Sequence, residues 1–306
     1  MKVSVFVPAT SANMGPGFDC MGIALDLWNE LHVESADGVT IDIAGHGAAD
    51  LARDENNLVI QCMKMLFARC GQPFPGVSLR MVNRIPVASG LGSSAAALVG
   101  GLLAANALLD EPFSRGEILH IAAQDEGHPD NVAPAFLGGA VLAYVHEDGV
   151  TTVTLPLRDN FSFVVVTPAF ALLTQQARSV LPPLVSRQDA VFNIAHASFL
   201  TAALTAGNVP LLKRALADRL HQDARKSLIP GFDAVVQAAY RAGAVGTVLS
   251  GAGPTLLSIT EGMAPARQVA KSMVEAFQTA GCDATARILP AATVGAYTHV
   301  RTRDMG

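Results

Sequence analysis

The stretch from Pro86 to Leu109 constrains this chain more than any other. Gly90 and Gly92, interleaved with Ser89, Ser93 and Ser94, form a turn. An uncharged, alanine-rich run then continues to Leu109, where Asp110 and Glu111 end it. Ala95, Ala96, Ala97, Ala104 and Ala105 predict a helix beginning at Ser93, with a side-chain layer thin enough to sit close to its neighbours. At about 16 residues it is short for a membrane span, so the reading is a helix buried inside a protein core. A buried helix needs apolar layers on all sides. The chain has them: 306 residues, 50% hydrophobic and 15% charged, enough for one or two domains with real cores.

The turn also carries chemistry. Glycines let an anion approach backbone amides, and the first N–H groups of a helix, reinforced by its dipole, favour negative charge. Ser93 or Ser94 is expected to cap the helix, and a hydroxyl there could reach a phosphate-bound divalent ion. From these residues alone, a phosphate site and an ordinary glycine-rich helix start are equally supported. No Gly-Lys-Ser/Thr follows, and no GxGxxG follows the first strand, which argues against P-loop and Rossmann readings.

Elsewhere, Val3, Val5 and Val7 predict a strand before Pro8, and Ala9 to Gly22 reads as a loop. Leu25–Glu34, Val39–Ala44 and Gly76–Val82 read as strands, Asn57–Arg69 and Ser114–Gln124 as helices, and Gly138–His146 and Thr151–Pro156 as strands. A boundary is expected at 157/158. Beyond it come the strand Phe161–Thr167, helices at Asp189–Ala206, Pro210–Arg219 and Phe232–Gly243, and strands Val245–Ser250 and Thr255–Thr260. A helix over Ala264–Ala280 and the strands Ala284–Leu289 and Val294–Val300 complete the chain. Without the additional helices, the order is strand, helix, strand, strand, helix, strand, that of a ferredoxin-like sandwich.

Two polar groups and one glycine turn stand out in a chain sparing with charge. Glu126-Gly-His128-Pro-Asp130-Asn131 offers carboxylates that could hold Mg²⁺, against the alternative of a surface loop. One histidine among two acids makes a poor metal-hydrolase set. Thr174 and Arg178 are one helical turn apart, and Arg178 with Arg225 could grip a carboxylate, although each arginine alone reads first as a surface residue. Gly251-Ala252-Gly253-Pro254 suits either a plain turn or close backbone approach to a ligand. Phe18 and Trp28 read as packing residues, and His120, His196 and His221 show no metal spacing.

A net charge of −5 without a basic stripe argues against nucleic acid. Four cysteines without a CxxC pair read as reduced thiols of a cytoplasmic protein, and the apolar start is too short for a signal peptide. No membrane association is expected. A homodimer is the default oligomer.

Together, Pro8-Ala-Thr-Ser-Ala-Asn-Met-Gly-Pro-Gly-Phe-Asp19, Pro86 to Ala97 and Ser250-Gly-Ala-Gly-Pro-Thr255 resemble, in order, the three motifs of the GHMP kinases. The form of the first motif, with His128-Pro-Asp-Asn-Val-Ala-Pro134 and Ala177-Arg178, is similar to the homoserine kinases among them. The resemblance covers the whole chain. It implies an α+β, two-domain fold, with a ribosomal protein S5 domain 2-like unit over 1–157 and a ferredoxin-like unit over 158–306. It implies ATP, Mg²⁺ and L-homoserine as ligands, and O-phospho-L-homoserine as product, a step toward threonine.

By that resemblance, Asn57 contacts adenine. Pro86, Val87, Ala88, Ser89, Gly90, Leu91, Gly92, Ser93, Ser94, Ala95 and Ala96 hold the nucleotide, and Ser94 with Glu126 holds Mg²⁺. Asn13, Asp19, Asp130, Asn131, Thr174, Arg178, Arg225 and Gly251 form the homoserine site, with Asp19 on the ammonium group and the arginines on the carboxylate. Asp130, Asn131 and Arg178 form the catalytic set, and no aspartate base stands at Thr10 to Asn13. Many homoserine kinases carry a serine-glycine insertion where only Gly127 separates Glu126 from His128 here. The alternatives are a GHMP kinase for another small alcohol, such as a mevalonate-type compound, and a metabolite-binding protein without turnover.

Overall fold

In the computed structural model, which describes residues 1–301, the first strand does not stop at Pro8. β1 runs Lys2–Ala12, with a register shift between Pro8 and Ala9 against its antiparallel neighbour β2 (Met21–Ser35). The expected loop over Ala9–Gly22 therefore shrinks to residues 13–20. Ala9, Thr10, Ser11 and Ala12 are all buried, so covered on both faces they lack the alternation that marks a half-exposed strand.

β3 (Gly38–Gly45) pairs in parallel with β4 (Gly76–Asn83), which lies antiparallel to β2. Between them runs α1 (Leu58–Arg69), capped by Asn57. α2 (Ser93–Leu108) follows, buried along almost its whole circumference against α1, β1 and the next two helices. α3 (Arg115–Glu126) starts at a capping box, Ser114 with Glu117.

The segment after Glu126 is not a surface loop. α4 (Pro129–Leu137) begins at once, with Pro129 in the first turn where its missing N–H costs nothing, and it buries Val132, Ala133, Ala135 and Phe136. Its apolar residues merge with the next strand in one unbroken run, so no period separated them. β5 (Ala140–His146) pairs with the start of β2 and with β6 (Gly149–Leu155).

The second half contains β7 (Phe161–Pro168), α5 (Thr174–Ser179), α6 (Arg187–Ala206), α7 (Val209–Ala215), α8 (Gln222–Arg225) and α9 (Phe232–Arg241). It continues with β8 (Gly246–Leu249), β9 (Leu256–Glu261), α10 (Met263–Thr279), β10 (Ala284–Leu289) and β11 (Tyr297–Arg301). Its four-stranded sheet has the order β10-β7-β9-β8, every pair antiparallel, as the βαββαβ reading requires. Val164 and Val166 face a core built with Val235, Val269, Met273 and Phe277 of α9 and α10. Their neighbours Phe163 and Val165 point the other way, into the core shared with α6, α7 and the first half.

A single cut at 157/158 does not describe the sheets. β11 pairs antiparallel with β1, from Lys2 opposite Arg301 to Phe6 opposite Tyr297, and so completes the seven-stranded first sheet. Residues 302–306 of the expected second unit lie outside the described residues. No helix among the described residues is long and apolar enough to cross a membrane.

Candidate active site

Three segments distant in sequence are tied together by backbone bonds. Thr10 N donates to Leu91 O at 3.1 Å, Gly251 N to Ala12 O at 3.1 Å and Thr255 N to Ser89 O at 3.0 Å. Ser250 Oγ lies 2.8 Å from Ser11 Oγ and 2.7 Å from Gly90 O. The turn before α2 needs its glycines for two reasons. Gly90 and Gly92 have φ of 85° and 71°, and a Cβ on them would lie 2.3 Å from Ser250 O and 2.0 Å from Thr10 Oγ1.

Neither serine caps α2. Gly92 is the N-cap residue, with no side-chain bond, and the first helical bond runs from Ala96 N to Gly92 O. The amides of Ser93, Ser94 and Ala95 thus meet no acceptor among the described residues. A 16-residue helix left open in this way presents N–H donors and the positive end of its dipole together.

These amides face a cavity of about 300 Å³. Most of the turn lines it, but Pro86 and Leu91 do not, Leu91 being wholly buried in the core. Part of the wall is apolar, from Leu31, Leu51, Leu58, Met81 and Val87. Asn57 belongs to this part, but its side chain is already engaged. Oδ1 accepts from Val59 N at 3.0 Å as the cap of α1, and Nδ2 donates to Ala52 O at 2.8 Å. Asn57 therefore shapes the wall instead of offering a free amide.

Another part of the wall is charged. Arg178 grips Asp19 with two bonds, of 2.8 and 3.1 Å. Asp19 is thus not a lone carboxylate, and this pair raises the Arg178 pKa although burial opposes it. Asn13, Asp19 and Ala88 all hold positive φ. Asn13 accepts from Asp19 N and donates to Gly251 O, each at 3.0 Å, so its amide braces the first motif against the third. Thr174 and Arg178 share the short helix α5, both on the cavity wall.

Arg225 is not a surface residue: it is 2% exposed. Its Nε donates to Ala177 O at 3.1 Å, and Nη1 to Gly251 O at 3.2 Å and to His221 Nδ1 at 3.3 Å. Its Nη2 has no partner among the described residues. Burial lowers its pKa, and nearby Arg178 adds to this.

The single glycine after Glu126 is sufficient to place it. Gly127 ends α3 in the left-handed region (φ 82°) and His128 starts α4, leaving Glu126 as the last helical residue on the cavity wall. Burial raises the Glu126 pKa, and no described residue donates a hydrogen bond to its carboxylate. Ser94 and Glu126 offer hard oxygens, and a half-buried carboxylate without a donor fits a divalent cation. His128 Nδ1 lies 2.5 Å from Asp130 Oδ1. Burial alone would lower the His128 pKa, but Asp130 turns the shift upward. Ligand-type atoms of Asp19, His128 and Asp130 lie within 4.8 Å of one another. Thr10 Oγ1 donates to Asn131 Oδ1 at 2.8 Å, leaving the Asn131 amide hydrogens available.

Phe18 and His221, which the sequence does not mark as functional, back the charged wall without lining the cavity. The rings stack at 5.1 Å, and the Arg225 and Arg178 guanidiniums lie 5.3 and 5.7 Å from the Phe18 centroid. The position of Phe18 inside the first motif was the one available signal. Burial, with Asp130 and Asp19, pushes the Cys20 thiol pKa up to about 11.

Comparison with known proteins identifies the family. The model of the GHMP kinase N-terminal domain matches residues 57–139, and that of the GHMP kinase C-terminal domain matches residues 200–279. A homoserine kinase of Microchaete diplosiphon is 47% identical over 297 residues, 96% of either chain. This chain belongs to the homoserine kinase family of GHMP kinases. Another family member, from Desulfitobacterium hafniense, is 45% identical over 294 residues, 96% of this chain and 99% of that one. The crystal structure of homoserine kinase from Cytophaga hutchinsonii matches with a TM-score of 0.87 at 30% identity, covering 97% of both chains.

Proposed function

We propose that this protein transfers the terminal phosphoryl group of ATP to the side-chain hydroxyl of L-homoserine, releasing ADP and O-phospho-L-homoserine. One observation carries the reading. A single cavity is lined both by the uncapped start of α2 and by a buried arginine with an unengaged Nη2 beside a cluster of acids.

The free amides of Ser93, Ser94 and Ala95 bind the phosphates, and the apolar wall near Met81 and Val87 takes the adenine. Arg225 Nη2 meets the homoserine carboxylate, aided by Arg178. Asp19 receives the ammonium group, and Asp130, Asn131 and Thr174 line the hydroxyl side. Mg²⁺, held by Ser94 and Glu126, would neutralise charge on the phosphates. Phosphoryl transfer depends on in-line placement and charge neutralisation more than on covalent assistance. Asn131, its oxygen held by Thr10, keeps amide hydrogens to orient the reacting groups. The substrate hydroxyl attacks directly, and its proton leaves with phosphate or solvent.

The test is ADP release in the presence of homoserine, mevalonate, galactose or threonine, with and without Mg²⁺. Release that needs homoserine and Mg²⁺ together is expected. Preference for another alcohol would move the protein to a different GHMP substrate, and ATP binding without acceptor-dependent release would make it a sensor. Replacing Arg225 by methionine, which removes the charge, should raise the homoserine KM far more than the ATP KM. Loss of a buried charged partner costs about 2–5 kcal/mol, or roughly 30- to 5000-fold.

A further inference from the structure

Behind Arg225 lies a buried histidine that these roles leave unused. His221 is 1% exposed, and its Nε2 is 2.8 Å from Gly15 O. A carbonyl only accepts, so Nε2 carries the proton, and a neutral ring then has a lone pair on Nδ1. Arg225 Nη1 points at that lone pair from 3.3 Å. Burial, the largest influence, lowers the His221 pKa. Arg225 adds to this, while Asp218, Gly15 and Asp19 oppose it, and the result is a ring neutral near pH 7.

The ring has little freedom. Phe18 stacks on one face. Asp218 accepts from the backbone N–H groups of Leu220, His221 and Gln222 at 2.8 to 3.0 Å, and from Asn193 Nδ2 at 2.7 Å. The segment carrying His221 is thereby pinned.

A guanidinium has five N–H groups in one plane. In Arg225, Nε and both hydrogens of Nη1 are directed at Ala177 O, Gly251 O and His221 Nδ1. Two carbonyls and one imidazole define the plane, and only Nη2 remains for a ligand. We infer that His221 is a positioning residue for the amino-acid substrate, its Nδ1 lone pair fixing the Arg225 plane so that Nη2 meets the substrate carboxylate. The inference rests on the reading of Arg225 as the carboxylate ligand.

Two variants separate the ring's bonds. His221→Asn places a carbonyl oxygen near the Nδ1 position and keeps an acceptor for Arg225. His221→Gln can keep a donor toward Gly15 O but leaves nothing at Nδ1. The glutamine variant should raise the homoserine KM about tenfold or more, with the ATP KM within about twofold of the parent. The asparagine variant should stay within about threefold for both substrates. Equal losses in the two variants, or a parallel rise in the ATP KM, would reduce His221 to a packing role and overturn the inference. If Arg225→Met leaves the homoserine KM unchanged, the carboxylate reading fails instead. Nitrogen NMR of the parent protein needs no variant to fold: an unprotonated His221 Nδ1 is expected near neutral pH, and a protonated one sinks the proposal.

Discussion

A Cβ built on Gly92 would lie 2.0 Å from Thr10 Oγ1 and 3.2 Å from Asn131 Oδ1, on a backbone with φ 71°. Alanine there would have to push Thr10 aside, and Thr10 is the residue that holds Asn131. Backbone strain of this kind costs about 1–3 kcal/mol, before any displacement of the site. Gly92→Ala should therefore lower Tm and reduce kcat/KM by about tenfold or more. A variant with parental kcat/KM would show that the turn tolerates a side chain and that Thr10 does not set Asn131. The same scale explains what composition could and could not reveal. Gly90 and Gly92 are conspicuous as glycines, whereas Asn57 looks like an available amide until its cap bond to Val59 N is seen.

The short segment leading into α8 acts as an element in its own right. The side chains of Asp218 and His221 are both fully buried, and both groups have pKa values lowered on folding. For Asp218, burial opposes the shift, but His221 and the donated N–H bonds overcome it. For His221, burial causes it. In each case the unfolded chain holds protons more tightly, so stability rises with pH. The His221 contribution is complete above its unfolded pKa of about 6.5 and declines as pH falls below it, and that of Asp218 declines only below about 3.9. Calorimetry should show Tm falling between about pH 7 and pH 5, with a shallower fall in His221→Asn. An unchanged slope in that variant would mean His221 is not the group responsible.

At the scale of the whole molecule, one face of the second sheet packs into the core of the first. Phe161, Phe163, Val165, Leu257 and Ile259 from the second half pack in the cluster that contains Val3, Val5 and Val7. β11 completes the first sheet, its Tyr297 stacked on Phe6 at 4.9 Å. A fragment ending at residue 157 would expose the free edge of β1 and the apolar face that β7 and β9 cover. It should aggregate or melt without a cooperative transition, whereas the intact chain should unfold in one. A cooperative melt of the fragment, followed by calorimetry or urea denaturation, would show that the first half folds alone.

What the sequence determined by itself was local or repetitive. The alanine-rich helix, the glycine turn that opens it, the Ser114 capping box and the βαββαβ order all follow from neighbouring residues and short periods. Resemblance then assigned roles to polar residues that no local pattern could separate from surface groups. Tertiary structure decided the rest. Asn13 meets Gly251 across 238 positions, Arg178 meets Asp19 across 159, and the last strand closes beside the first. Whether Arg225 is exposed or buried, and whether Asn57 is free or committed, depends on which distant backbone group lies opposite. Short-range periodicity carries no record of such partners, because it reflects only which face of an element is buried.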